Sequence, residues 1–307
     1  MNKYAQKLNR MLKVSGLSQE DLARRLDVSF PTLNSWVNSK SEPREKSRVQ
    51  IDQLFVEFFG ADSITKEELS VTKKIALSKK VSIKKILENL NLLDKITVNL
   101  TYHTNTIEGS TMTERDVKAV LLENKIIKNR TAIEQRETIN HQTALNFLLD
   151  ELNEKGKNFK IDKSLIINTH LRLMNGIISD AGNFRNHSVR IVGSKVPLVN
   201  FIKIPSMIEK WCNKINEETT DPINLLAVTH SEFEQIHPFS DGNGRTGRLL
   251  LFIKALHFGL IPPIIQKEKK QAYYKYLEIC QIEESSDLLE NFISEAIINS
   301  SNLLEEK

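Results

Sequence analysis

Apolar residues recur at three- and four-residue spacing along almost all of the 307-residue chain, and most of its 11 glycines and 8 prolines fall between those runs. That period lays one face of each segment against a core, so it predicts a mainly α protein. Tyr4, Leu8, Met11 and Leu12 share a face of the first helix, which Gly16 closes. Ser18, followed by Gln19, Glu20 and Asp21, supplies an N-cap with acids in the first turn of a short helix through Leu22, Ala23 and Leu26. Asp27-Val28 makes a turn, and Ser29 caps a helix carrying Leu33, Trp36 and Val37. Pro43 breaks the chain before a helix with Val49, Ile51, Leu54 and Phe55, and 60–63 reads as a linker. Helical spacing continues over 72–100, 114–128, 131–152, 163–178, 204–218, 222–236 and 244–258 and beyond 270, with a polar patch at 103–113. One stretch has the texture of strands instead. Val189-Arg190-Ile191-Val192, a Gly193-Ser194-Lys195 turn and Val196-Pro197-Leu198-Val199 predict a short β-hairpin.

A chain of this length is expected to form about two domains and to bury a core without a disulfide or metal staple. Cys212 and Cys280 show no metal-like spacing, which argues against a disulfide framework and fits a reducing cytoplasm. The polar start does not read as a signal peptide, and no apolar run reaches the about 18 residues of a membrane helix. A soluble, cytoplasmic protein is expected. The net charge of +4 is modest, but the first 50 residues hold ten Lys and Arg against five Asp and Glu. The basic excess therefore sits at the N-terminus, where a footprint for DNA phosphates would be sought.

The densest chemistry lies in His237-Pro238-Phe239-Ser240-Asp241-Gly242-Asn243-Gly244-Arg245-Thr246-Gly247-Arg248. Helical apolar spacing flanks this run on both sides, so it reads as a loop that ends at a helix N-terminus. There unpaired N–H groups and the helix dipole attract anions. Gly242 and Gly244 allow the backbone close to a phosphate. Arg245 and Arg248, three apart, share a helix face and can grip a polyphosphate with forked donors. Asp241 suits a Mg²⁺ that bridges phosphates, and His237 suits general-base removal of a hydroxyl proton near neutral pH. Phe239 is expected to pin the loop into the core. The competing reading is a Gly-rich turn with two solvated arginines and a structural histidine.

This run resembles the Fic signature, HxFx(D/E)GNGRxxR, at every defined position. The resemblance implies a protein adenylyltransferase that moves AMP from ATP, with Mg²⁺, to a Ser, Thr or Tyr hydroxyl. In that family's terms His237 would be the base and Asp241 the metal ligand. Gly242, Asn243 and Gly244 would form the anion hole for the α- and β-phosphates, and Arg245 and Arg248 would hold the β- and γ-phosphates. Gly182-Asn183-Phe184-Arg185, then Val189, Arg190 and Ile191, resemble the segment leading into a flap that docks the target chain. Gln271-Ala272-Tyr273-Tyr274-Lys275 resembles a segment bounding the adenine pocket, with ordinary helix packing the alternative for Tyr273 and Tyr274. The likeness covers roughly 100–300 by pattern.

Thr104-Asn105-Thr106-Ile107-Glu108-Gly109 resembles the family's autoinhibitory motif, (S/T)xxxE(G/N). Thr104 and Glu108 lie at i and i+4 on one helix face, and Gly109 is a natural stop. The resemblance implies that Glu108 pairs with Arg248 and denies that arginine to the γ-phosphate. The alternative is a solvated glutamate at a helix end.

Residues 1–57 look like a helix-turn-helix domain of the lambda-repressor-like class, on Leu17-Ser18-Gln19-Glu20-Asp21-Leu22-Ala23 and Thr32-Leu33-Asn34-Ser35-Trp36. That likeness implies that Phe30, Thr32, Asn34 and Ser35 face bases and that Asn38 and Lys40 lie near phosphates, with Leu33 and Trp36 in the core. The alternative is a module for protein contacts. The organisation expected is a helix-turn-helix domain at 1–60, a helical linker at 61–100 and a Fic domain at 101–300. Partners implied are a protein target, the chain itself included, DNA, and a second copy in a homodimer, with no membrane. The rivals are transfer of UMP, phosphate or phosphocholine, removal of AMP from a modified target, and a transcription regulator whose Fic domain only senses nucleotide.

Overall fold

The computed structural model describes residues 2–191, 194, 196–283 and 285–305, with the side chains of 14, 15 and 303–305 outside that description. Two compact units divide the chain: residues 1–63 with 267–276, and residues 64–266 with 277–307. All regular structure among the described residues is helical.

In the first unit, α1 (Lys3–Ser15), α2 (Gln19–Arg25), α3 (Phe30–Val37) and α4 (Glu45–Phe59) surround Leu8, Met11, Leu22, Leu33, Trp36, Ile51 and Phe58. Three of these four starts carry a capping side chain, and α4, which begins after Arg44, does not. Asn2, Ser18 and Ser29 accept from the backbone N–H groups of Ala5, Asp21 and Thr32, satisfying donors that no helical carbonyl reaches. Gly16 closes α1 in the left-handed region, at φ 69°.

The second unit holds α5 (Lys66–Ser78), α6 (Ile83–Glu88), α7 (Leu90–Ile107), α8 (Glu114–Glu123), α9 (Ala132–Lys155), α10 (Lys163–Met174), α11 (Ile204–Ile215), α12 (Pro222–Ile236) and α13 (Asn243–His257). α14 (Lys270–Ile282) runs from the tail of the first unit's sequence into the second, and α15 (Asp287–Glu305) follows. α13 packs against α7, α9, α10 and α12. Its sequence from Leu249 to Leu256 is apolar on nearly every side and wholly buried, as befits a helix at the centre of a bundle.

The single helical stretch expected over 72–100 is three helices. Ser82 and Asn89 cap α6 and α7 through the N–H groups of Lys85 and Leu92. Between α5 and α6 the chain forms an isolated bridge, in which Val81 N–H donates to Gly259 O and Ile261 N–H to Lys79 O. The polar patch at 103–113 begins inside a helix, because α7 continues to Ile107 with Thr104 and Asn105 buried. The expected hairpin differs most. Val189, Arg190, Ile191 and residues 196–199 carry no strand, while Val192, Gly193 and Lys195 lie outside the described residues. The reason is visible at Val199, whose N–H donates to Gln235 O and whose carbonyl accepts from Arg185. That residue's backbone groups are spent on the end of α12 and on a guanidinium.

Candidate active site

The run 237–248 is the turn between α12 and α13. His237 ends α12 in the left-handed conformation, φ 48° and ψ 60°. Gly242, at φ 77°, begins α13 with no side chain as cap, so the first-turn N–H groups of α13 have no helical or capping acceptor. Only glycine suits position 242: a Cβ there would lie 2.6 Å from Met174 Sδ.

Several buried groups hold the turn. Asn243 accepts from Phe239 N–H and donates to Phe239 O, both at 2.8 Å, so its amide closes the turn upon itself. Phe239 is fully buried and stacks on His170 with centroids 3.6 Å apart. His170 Nδ1 accepts from Gly182 N–H at 2.9 Å. The proton of the neutral ring therefore sits on Nε2, which donates to Asp241 O at 2.9 Å. Burial pushes the His170 pKa down to about 4, so this tautomer is the form present near neutral pH. Arg185, buried, donates to the carbonyls of His237 (2.7 Å), His187 (2.8 Å) and Val199 (2.6 Å), and its own N–H donates to Pro238 O.

His237 itself is half-buried, and the loss of solvent lowers its pKa. Its Nδ1 lies 3.1 Å from Glu234 O. A carbonyl can only accept, so Nδ1 carries the proton and Nε2 keeps its lone pair. Such an imidazole is set to take a proton from a hydroxyl. Asp241 is 63% exposed; its Oδ1 accepts from Gly242 N–H at 2.6 Å, and the rest of the carboxylate faces solvent. No cluster of three or more acidic, His or Cys side chains that could cage a metal occurs among the described residues. One exposed carboxylate beside an anion-attracting helix end fits a Mg²⁺ that takes its other ligands from phosphates and water.

Both arginines are buried and both meet a carboxylate. Arg245 donates to Glu137 of α9 at 2.6 Å and lies 3.7 Å from Asp241. Arg248, 3% exposed, pairs with Glu108, the residue that ends α7. Longer contacts of 3.4 Å run from Arg248 to the hydroxyl and the carbonyl of Thr104. Glu108 also lies so close over Gly244 that a Cβ at that position would collide with its carboxylate. Gly109 (φ 109°) donates to Thr106 O and Ser110 to Asn105 O, which ends α7 there. Around Arg248 three further groups are buried. His141 and His230 have pKa values pushed down to about 3, chiefly by burial, and burial pushes Glu234 up to about 7.

Thr104 and Glu108 are thus brought to the run 237–248 across 140 residues of chain. Tyr273 and Tyr274 fall in the first unit, Tyr273 fully buried and Tyr274 exposed, with ring centroids 5.3 Å apart. Val189 is half-buried, and Arg190 and Ile191 are exposed. In the first unit, Phe30 and Lys40 are exposed, Thr32 and Ser35 share hydrogen bonds with Ser29 and Ser41, and Asn34 accepts from Asn38 and donates to Gln19. Leu33 and Trp36 are core, as expected. Sequence reasoning did not find His170, Glu137 or Glu234, and placed Arg185 in a segment without giving it a task. His170 carried a readable signal: it lies between Ile166 and Leu173 on the apolar face of α10.

The run 237–248 falls within a stretch that is similar to known proteins. Residues 160–254 match the Fic/DOC family, and residues 8–47 match a helix-turn-helix family. The chain therefore carries a Fic/DOC domain and an N-terminal helix-turn-helix domain. A protein adenylyltransferase Fic of Nematostella vectensis is 33% identical over 184 residues, 57% of this chain and 41% of the relative. One from Drosophila melanogaster is 30% identical over 182 residues, 58% of this chain and 36% of the relative. The chain therefore aligns with less than half the length of these relatives. Among solved structures, Fic-1 (residues 134–508) of C. elegans superposes with a TM-score of 0.67 at 21% identity, over 96% of this chain and 86% of that one. A Fic domain-containing signalling protein of Bacteroides thetaiotaomicron gives 0.64 at 22%, over 78% and 95%. Both share the fold. No described helix is long and apolar enough to cross a membrane.

Proposed function

We propose that this chain is a protein adenylyltransferase that moves AMP from ATP to a Ser, Thr or Tyr hydroxyl of a protein, and that Glu108 restrains it. The observation that carries the reading is the uncapped first turn of α13, flanked by buried Arg245 and Arg248 and preceded by an imidazole whose Nε2 is free of its proton. The curated relatives named as adenylyltransferases support it.

The attacking hydroxyl gives its proton to His237 Nε2 as its oxygen bonds to the α-phosphorus. The α–β phosphoanhydride bond then breaks and pyrophosphate leaves, in a reaction governed by positioning and electrostatics. The N–H groups of Asn243 and Gly244 take the α- and β-phosphates beside Gly242, whose own N–H is held by Asp241, and the guanidinium groups of Arg245 and Arg248 take the β- and γ-phosphates. Asp241 would hold a Mg²⁺, which would neutralise phosphate charge. Exposed Arg190 and Ile191, with Val189, align the target segment. Glu108 acts by competition. A carboxylate on Arg248, seated over Gly244, occupies the charge and the space that a γ-phosphate needs.

Intact mass after incubation with ATP and Mg²⁺ tests both parts. Glu108→Gly is expected to gain the mass of AMP at least about tenfold faster than the parent, since losing a charge-assisted pair is worth more than 1.4 kcal/mol, and His237→Ala is expected to gain none. Equal rates for Glu108→Gly and the parent would sink the restraint while leaving the transfer standing. Label retained from γ- and not α-³²P-ATP would replace AMP transfer by phosphoryl transfer.

The first unit favours DNA as a second partner, because its helix-turn-helix match coincides with the basic end of the chain. Phe30, Thr32, Asn34 and Ser35 of α3 would face bases and Lys40 a phosphate. Binding that steepens with falling salt, and weakens with Lys40→Ala at every sequence alike, is the expected signature.

A further inference from the structure

Away from the run 237–248, α6, α7 and α8 with residues 80–81 and 261 enclose a cleft of about 890 Å³. No residue of that run lines it. The volume lies within the range of small-molecule sites, about 300–1,000 Å³. Its charge is uneven: Lys80, Lys85, Lys95 and Lys118 face two acids, Asp94 and Glu114. Lys80 and Lys85 are exposed and form no ion pair among the described residues, so their charges remain available to an anion.

Two further features narrow the ligand. Asn99 lines the cleft although it is only 8% exposed. Its Nδ2 donates to Lys95 O at 2.9 Å, while its Oδ1 has no partner among the described residues. That oxygen is open to the cleft, where it can accept from a donor on a ligand. Beside it, Val98, Leu122 and Ile261 supply an apolar wall. Bare phosphate satisfies the lysines but neither the amide oxygen nor the wall. A phosphate ester with hydroxyl groups and a ring satisfies all three.

We propose that this cleft is a second ligand site, for a small hydroxyl-bearing phosphate ester, either a sugar phosphate or a mononucleotide. The site shares α7 with Glu108, which lies at the helix's other end.

Isothermal titration of the full chain with ribose 5-phosphate, AMP and inorganic phosphate tests the assignment. At least one ester is expected to bind, and which one binds separates the two sources. Lys80→Glu with Lys85→Glu is expected to weaken that binding about tenfold or more, because each reversal replaces attraction by repulsion. Asn99→Leu is expected to weaken it about fivefold, the worth of one hydrogen bond. Arg245→Ala is expected to change it less than about twofold, since effects at separate sites are independent. Each variant's thermal midpoint is measured alongside, so that a folding defect is told from a lost contact. Three results overturn the proposal: no heat from either ester, inorganic phosphate binding as tightly as the esters, or ester binding that follows Arg245→Ala and ignores the lysines.

Discussion

The turn at 237–242 and the end of α7 at 104–109 both serve Arg248's neighbourhood, but they are fastened in opposite ways. The turn is held from several directions by buried polar groups: Asn243 from within, His170 on Asp241 O, Arg185 on the carbonyls behind His237. The end of α7 meets Arg248 through the Glu108 carboxylate, 31% exposed, and through Thr104 at 3.4 Å. Donors that stabilise developing charge must be fixed before the reaction, because reorganising them would cost what they contribute. A restraint that yields to substrate must have little to lose on leaving. The groups that hold the turn are therefore buried, and the carboxylate that yields sits partly in water.

The contrast is most exposed to test at Arg185. Replacing it by Leu leaves the carbonyls of His237, His187 and Val199 without their donor, and at about 1–3 kcal/mol each the loss of stability is expected near 5 kcal/mol. Arg185→Lys should recover little of it, since an ammonium cannot reproduce a planar fork with three separate acceptors. Urea unfolding measures the loss. Transfer of AMP in a Glu108→Gly background measures the consequence at His237. A Leu variant that unfolds with the parent and transfers at the parent's rate would show that the turn holds itself and would break the comparison.

Acid should loosen the fold through the histidines buried around the site. His141, His170 and His230 have folded pKa values near 3, 4 and 3, against about 6.5 unfolded. A group whose folded pKa is depressed loses stability as pH falls below its unfolded value, because only the unfolded chain takes up the proton. By linkage each histidine removes about 2 kcal/mol by pH 5. Glu234 works in the other sense: its carboxyl, raised to about 7, favours the fold below pH 4.5 and loses that advantage as pH rises through 7. It offsets about one histidine, so a net loss of about 4 kcal/mol between pH 7.5 and pH 5 is expected. Denaturant titrations at several pH values would show it. Stability unchanged to pH 5 would mean that the three imidazoles are not sealed from water.

These two regions were also unequally legible in the sequence. The run 237–248 spelled its own chemistry, because a phosphate site at a helix start needs glycine, arginine and an acid in consecutive positions. Thr104 and Glu108 were readable as a local motif, although their partner lies 140 residues away. The clamps were not. His170 and Arg185 act through carbonyls of distant residues, and a carbonyl leaves no mark on the residue type that carries it. Glu137 reads as one more charge on a long helix until α9 is packed against α13. The strand texture at 189–199 was a local preference that tertiary partners overrode, with Val199 bonded to Gln235 and Arg185. Helix ends fared well, because Ser18, Ser29, Gly16 and Gly109 act on their own neighbours.

The smallest effect expected is at Thr104, and it sharpens the comparison more than a large one would. Arg248 approaches the Thr104 hydroxyl at 3.4 Å and the Thr104 carbonyl at the same distance. Both lie beyond the usual 2.7–3.2 Å of a firm hydrogen bond, so neither holds Arg248 strongly. Thr104→Val keeps the shape and the carbonyl and removes only the hydroxyl. The restraint should weaken by about 0.5 kcal/mol, which is about a twofold gain in AMP transfer. Glu108→Gly sets the ceiling for release in the same assay. If Thr104→Val approached that ceiling, the hydroxyl and not the carboxylate would be fastening α7 to Arg248. The end of the helix would then be clamped as the turn is, by a short-range polar contact, and the distinction between the fixed and the yielding part of the site would fail.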